Sequence, residues 1–202
     1  MHIQDHECYY ENPFCSSLDR VTSHKLCKKC IHFTLNAKQE LVFNDPSHKY
    51  AIIRSGLIIS IFLTEEGKQK SMEIFEPGSF LRMNDLYSQE SEEYLYLVAL
   101  TPAELCLFSN TLFNELFKEN QGFANVVLEA TNFRLKSNIR YLLHMKSGSS
   151  EDRVNYILDL LQGAGIDNAL LTHENIALLT GLNRVTVTRA LKNISRSKVV
   201  GD

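Results

Sequence analysis

Three residues near the C-terminus restrict the fold of this chain more than any other feature. Ala177, Gly181 and Val187 are spaced four and six residues apart. A helix-turn-helix needs a small residue in its first helix, glycine in the turn and an apolar anchor in the second helix at that spacing. Thr172 is placed to cap the first helix, and Ile176, Leu178, Leu179 and Leu182 supply the apolar surface that closes the pair. The second helix then begins at Asn183 or Arg184, with Val187, Ala190, Leu191 and Ile194 pointing inward. Its outer face carries Arg184, Thr188, Arg189, Lys192, Arg196 and Lys198, opposed only by Asp202. Such a local excess of cations, in a chain of net charge -3, suits contact with phosphates. The spacing therefore predicts a DNA-binding unit, against the plainer reading of a helical hairpin with a solvated basic face.

The rest of the chain has room for a sensor. Its 202 residues, 44% hydrophobic and 22% charged, are those of a globular protein with one large domain or two modest ones. The opening MHIQDHECYY has neither a basic nor an apolar signal region, and no run approaches the ~18 apolar residues of a membrane span. A cytoplasmic location without membrane contact is expected. Five cysteines, an odd number, argue against a disulfide framework and for metal binding or thiol chemistry. An enzyme is disfavoured, because no Ser/His/Asp set, phosphate loop or carboxylate pair has an interpretable spacing.

From Gln39 to Phe108, short apolar runs alternate with turn residues, which predicts antiparallel β structure. Ile58 to Leu63 reads as a strand buried over most of its length, Glu66-Gly67 as a hairpin turn, and Gly56, Gly67 and Gly78 recur every eleven residues. Tyr94 and Tyr96 read as core aromatics. Helical periodicity takes over from Leu112 to Met145, with Phe123, Val127, Ala130 and Phe133 in one stripe and Leu128, Leu135, Ile139 and Leu142 beside it. An apolar arc that wide must be covered on two sides, and a second copy of the helix is the simplest partner; a core helix of a larger monomer is the alternative. Lys146 to Ser150 reads as a hinge, after which Glu151 and Asp152 open another helix that ends at Gly163 and Gly165.

This order of parts resembles the transcription regulators typified by the cyclic-AMP receptor protein (CRP) and the anaerobic regulator FNR. The resemblance runs from about Phe33 to Val200 and is carried by Lys49–Phe80 and by TGLNRVTVTRAL, Thr180 to Leu191. It implies an α+β fold: an N-terminal antiparallel β-roll (a cupin-like jelly roll), a long dimerisation helix and a C-terminal helix-turn-helix domain. The expected divisions are a cysteine-rich segment at 1–32, the β-roll sensor at 33–120, the dimerisation helix at 121–146 and the DNA-binding domain at 147–202. Because the chain stops at Asp202, the β-hairpin wing that relatives add there is expected to be absent. The implied partners are double-stranded DNA with a palindromic operator, a second copy in a homodimer, and RNA polymerase. Arg184, Val185, Thr188 and Arg189 fall at base-reading positions, Arg189 matching an arginine that reads guanine. Val185 stands where the family usually has glutamate, so an A·T pair is expected opposite it.

The resemblance also bears on the effector. Cyclic-AMP binding is not expected, because Arg82-Met83 stands where nucleotide-binding members have Gly-Glu, and Glu93 stands at their arginine. Cys106 matches the central cluster ligand of FNR-like oxygen sensors, which implies a [4Fe-4S] cluster on Cys15, Cys27, Cys30 and Cys106, with Cys8 as an alternative ligand. Lys25, Lys28 and Lys29 would help keep those sulfurs deprotonated, and a short helix is expected over Ser16–Leu26, ahead of Cys27. Zinc on Cys8, Cys15, Cys27 and Cys30 with Cys106 left as a buried apolar thiol, a dithiol switch as in halorespiration regulators, and a small-molecule effector are the alternatives, as is a roll that binds ligand without effective DNA binding. The seven histidines, His32 among them, are expected at the surface.

Overall fold

The computed structural model describes residues 12–41, 48–82 and 94–200. Cys8, Met83, Glu93 and Asp202 lie outside the described residues, as does the side chain of Lys198. Two short helices, α1 (Pro13–Ser16) and α2 (Arg20–Lys29), lead into eight strands. These are β1 (Ile31–Leu35), β2 (Glu40–Leu41), β3 (His48–Ser55), β4 (Ile58–Leu63), β5 (Gln69–Phe75), β6 (Phe80–Arg82), β7 (Tyr94–Ala99) and β8 (Ala103–Ser109). They form two four-stranded antiparallel sheets, in the orders β1-β8-β3-β6 and β2-β7-β4-β5. The two sheets close on Leu35, Leu41, Ile53, Ile58, Phe75, Leu81, Leu97, Leu105 and Leu107, all of which are buried. Alternation along each strand puts these residues inside and their neighbours outside. The three equally spaced glycines all take positive φ, 81°, 73° and 91° at Gly56, Gly67 and Gly78, as their spacing predicts.

Helices follow the roll: α3 (Asn110–Glu119), α4 (Gln121–Ser147), α5 (Ser150–Gly163), a 3₁₀ turn (Asn168–Leu170), α6 (His173–Thr180) and α7 (Arg184–Val200). The single helical segment expected from Leu112 to Met145 is divided at Asn120. The backbone N–H of Asn120 closes α3 on the Leu116 carbonyl, and its side-chain oxygen accepts from the Phe123 N–H to open α4. The short helix expected over Ser16–Leu26 starts and ends later, because Asp19 is the residue that caps it, accepting from the Thr22 N–H at 2.9 Å. Cys27 therefore lies inside α2 rather than beyond it. The helix expected after Lys146–Ser150 stands as α5, with only Gly148 and Ser149 of that stretch outside helices, and Ser149 and Asp152 form a reciprocal capping box at its start.

Strand β1 is an addition to the strands legible in the sequence. It runs along β8 with His32 opposite Cys106. Strand β4 is buried on both faces, Ile58 against the roll interior and Ile59 and Ile61 against the helical domain. The helices thus cover the outer face of the second sheet, where Leu57, Ile59, Ile61 and Leu100 share one core with Tyr141, Val154, Ile157, Leu161, Ile176 and Val187. Tyr96 lies on that same outer face, only half-buried, with its hydroxyl accepting from Gln69 at 2.7 Å. Among the described residues, no helix is long and apolar enough to cross a membrane.

Candidate DNA-reading face and thiol cluster

The helix pair is built as its spacing requires. Thr172 accepts from the Asn175 N–H and Asn175 Oδ1 accepts from the Thr172 N–H, so α6 begins on a reciprocal cap. Gly181 ends it in the left-handed conformation at φ 67°. Asn183 then accepts from the Thr186 N–H at 2.8 Å and starts α7. Val187, Ala190 and Ile194 are buried against Ile176 and Leu179, whereas Ala177 is only half-buried. The buried Tyr141 hydroxyl donates to the Leu179 carbonyl at 2.6 Å, fastening α4 to α6.

With one side of α7 locked, the other is presented to solvent. Arg184, Val185, Thr188 and Arg189 are all exposed along its first two turns, followed by Lys192 and Arg196. Val185 is 69% exposed. Arg184 sits 3.9 Å from Glu174, a solvent-exposed pair worth little to stability. Thr188 is less available than the sequence suggests. Its hydroxyl donates to the Arg184 carbonyl at 3.0 Å and lies 2.9 Å from His173 Nδ1, which leaves its methyl as the group free to meet a base.

The cysteines separate. Cys15 is buried beside Phe14, among the aromatic side chains of Tyr50, Phe80, Phe108 and Phe123. Cys27 is half-buried on α2, and its carbonyl lies 3.1 Å from Cys30 Sγ. Cys30 and Cys106 come together with a residue the ligand search in sequence passed over, His32. Its Nε2 is 3.7 Å from Cys30 Sγ and its Nδ1 3.8 Å from Cys106 Sγ. One donor atom from each of Cys30, His32 and Cys106 falls within 4.8 Å of the others, and Cys15 and Cys27 are not in that group. The signal in the sequence is the alternation Cys30-Ile31-His32, which places both polar donors on one face of a strand. Two of the three lysines expected to assist the thiolates are turned elsewhere. Lys25 and Lys29 both reach Glu115, and the hydrogen bond between Lys25 and Glu115 raises the lysine pKa and lowers the carboxyl's.

Helix α4 has two apolar sides with different fates. Phe123 and Val127 are buried on the roll, with Ala130 partly covered. Phe133, the end of that stripe, is exposed, as are Leu128, Leu135, Ile139, Leu142 and Leu143. Arg134 anchors the helix to the second sheet by a two-pronged pair with Glu73 at 2.6 and 2.9 Å, its guanidinium 5.1 Å above the Phe75 ring.

The chain is thus a β-roll joined by one long helix to a helix-turn-helix with an open cationic face. Its fold is that of the CRP/FNR regulators. It superimposes on a CRP/FNR-family transcriptional regulator from Eubacterium rectale with a TM-score of 0.62 and 15% identity, covering 92% of this chain and 87% of the other. A protein from Listeria monocytogenes containing a cyclic nucleotide-binding domain matches with a TM-score of 0.69 and 11% identity, over 90% and 91% of the two chains. In sequence, the chain is 27% identical to the global nitrogen regulator of Synechococcus elongatus over 167 residues, 77% of this chain and 74% of that one. No family model matches the chain.

Proposed function

We propose that this chain is a homodimeric, DNA-binding transcription regulator of the CRP/FNR type, with α7 reading a palindromic operator and the roll serving as its sensor domain. The observation that carries the reading is the two-sided character of α7. Val187, Ala190 and Ile194 fix it in the core while Arg184, Val185 and Arg189 are exposed at its N-terminal end, the end that meets base edges in this motif. The global nitrogen regulators supply independent support for regulation of transcription. Cyclic AMP has no part in the proposal. Aliphatic side chains and Phe75 pack together between the sheets, and Arg82 ends β6 exposed to solvent.

The test is fluorescence anisotropy against a library of palindromes at several salt concentrations. Binding that weakens with salt is expected, and Arg189→Ala should weaken it about 10–100-fold while relaxing preference at one guanine, the loss typical of a bidentate contact. Selection should recover A·T opposite Val185, and Val185→Glu should shift that position toward C·G. Recovery of G·C by the natural protein would overturn the assignment of Val185, and the absence of salt-dependent binding to any palindrome would overturn the function.

A further inference from the structure

We infer that Cys30, His32 and Cys106 form a binding site for a single thiophilic metal ion, of the Zn²⁺ type, on the outer face of the first sheet. The site is made by strand register. His32 and Cys106 are directly opposed across the β1–β8 ladder, where side chains on one face come within about 4.5–5.5 Å at Cβ. Cys30 ends α2 with φ -82° and ψ 158°, an extended residue that continues the pleat of β1 and so shares the face of His32. Cys30 Sγ approaches His32 Nε2 at 3.7 Å and Cys106 Sγ approaches the other ring nitrogen, Nδ1, at 3.8 Å, while the two sulfurs and one ring nitrogen fall within 4.8 Å of one another. Bonds of about 2.3 Å to sulfur and 2.0–2.1 Å to nitrogen in tetrahedral geometry separate neighbouring ligand atoms by roughly 3.5–3.8 Å, so one ion fits after small side-chain rotations.

Two other uses of these thiols fit less well. A [4Fe-4S] cluster needs four soft ligands, one for each iron, and Cys15 and Cys27 do not join the group. A direct Cys30–Cys106 disulfide would link residues diagonal across a ladder, about 7–8 Å apart at Cα, beyond the usual disulfide range. An ion spans that gap without moving the backbone. Charge favours a divalent ion: two thiolates and a neutral imidazole balance it, which suits a place where Cys106 is buried and Cys30 half-buried. Binding converts both thiols to thiolates and releases two protons to solvent, while the imidazole binds through one ring nitrogen and keeps the proton on the other. Among the described residues, these three donors leave a fourth position open, the arrangement of an exchangeable rather than a closed structural site.

The inference holds whether or not α7 reads DNA, so metal binding without operator binding would overturn the proposed function and leave this site intact. The full chain, purified without oxygen, reduced and stripped with a chelator, is titrated with Zn²⁺ against a competing dye and with Co²⁺ followed by visible absorption. One equivalent is expected, with thiolate-to-cobalt charge-transfer bands. Cys106→Ser, Cys30→Ser and His32→Ala should each weaken Zn²⁺ at least tenfold, while Cys15→Ser leaves it unchanged. Circular dichroism confirms that each variant is folded. Binding that survives His32→Ala, a site lost with Cys15→Ser, or a brown protein with four irons and acid-labile sulfide would overturn the inference.

Discussion

Gly56→Ala is expected to destabilise the protein by about 3–5 kcal/mol, a large part of the 5–15 kcal/mol that holds a typical domain together. Two costs combine. At φ 81° an alanine is in the left-handed region, which costs roughly 1–2 kcal/mol by itself. The added Cβ would also lie 2.2 Å from the Pro102 carbonyl oxygen and 2.6 Å from the Ala103 Cα. Those are backbone atoms and cannot rotate away, so the β3–β4 turn must separate from the β7–β8 turn, an overpacking cost of about 1–3 kcal/mol or more. The two turns are tied by the Leu57 N–H to Thr101 Oγ1 at 2.9 Å and the Leu100 N–H to the Leu57 carbonyl at 2.8 Å. Gly67→Ala supplies the control, because Gly67 has a similar φ of 73° and nothing within 4 Å of the added carbon. Urea unfolding at fixed protein concentration should find Gly67→Ala costing only the backbone part. Equal losses at the two positions would show that close approach of the turns contributes nothing.

What could be read from the sequence and what could not divide along the range of the interactions. The glycines are legible because positive φ is a local demand, and Thr172, Gly181 and Val187 because a helix pair is specified within about one turn of each residue. Strand β1 is not, since the sequence IHFTL is short and half polar, and it becomes a strand by pairing with β8 far along the chain. With β1 went His32, whose place beside Cys106 is a matter of register rather than spacing. The cysteines misled in a similar way. Cys15 is near Cys27 and Cys30 in sequence, but the stacked rings of Phe14 and Phe80 hold it inside the aromatic core on which Cys30 only packs, outside the group formed by Cys30, His32 and Cys106. Thr188 has the right exposure for base contact, yet its hydroxyl is engaged by His173, a partner supplied by the other helix of the motif. The double burial of β4 was visible as continuous apolarity, although its cause, a helical domain seated on the sheet, was not.

Leu135→Glu should convert the protein to monomers and lower operator affinity more than 100-fold. Helix α4 has 27 residues, about 40 Å of length, and one side of it is committed to its own roll by Phe123, Val127 and the Arg134–Glu73 pair. On the other side Leu128, Leu135 and Leu142 recur every seven residues with Asn132 and Ile139 between them, the d and a positions of successive heptads. The leucines and Ile139 are 37–58% exposed in the single chain, an apolar seam that a second copy would cover. Isoleucine at a with leucine at d favours two strands, and an asparagine at one a position, here Asn132, favours a parallel pair in register. Parallel pairing matters for function, since it places both α7 helices on the same side of a two-fold axis, as a palindrome requires. Glutamate at position 135 removes two buried leucines, worth about 1.5–3 kcal/mol each, and sets two carboxylates against one another at the middle of the seam. A monomer can hold only one half-site, so the loss at the operator follows from the loss of the pair. Sedimentation at micromolar concentration and anisotropy on the same samples measure both, with circular dichroism verifying that the roll, anchored by Arg134, stays folded. A variant that remains dimeric and binds its operator at full strength would move the subunit interface away from this face of α4.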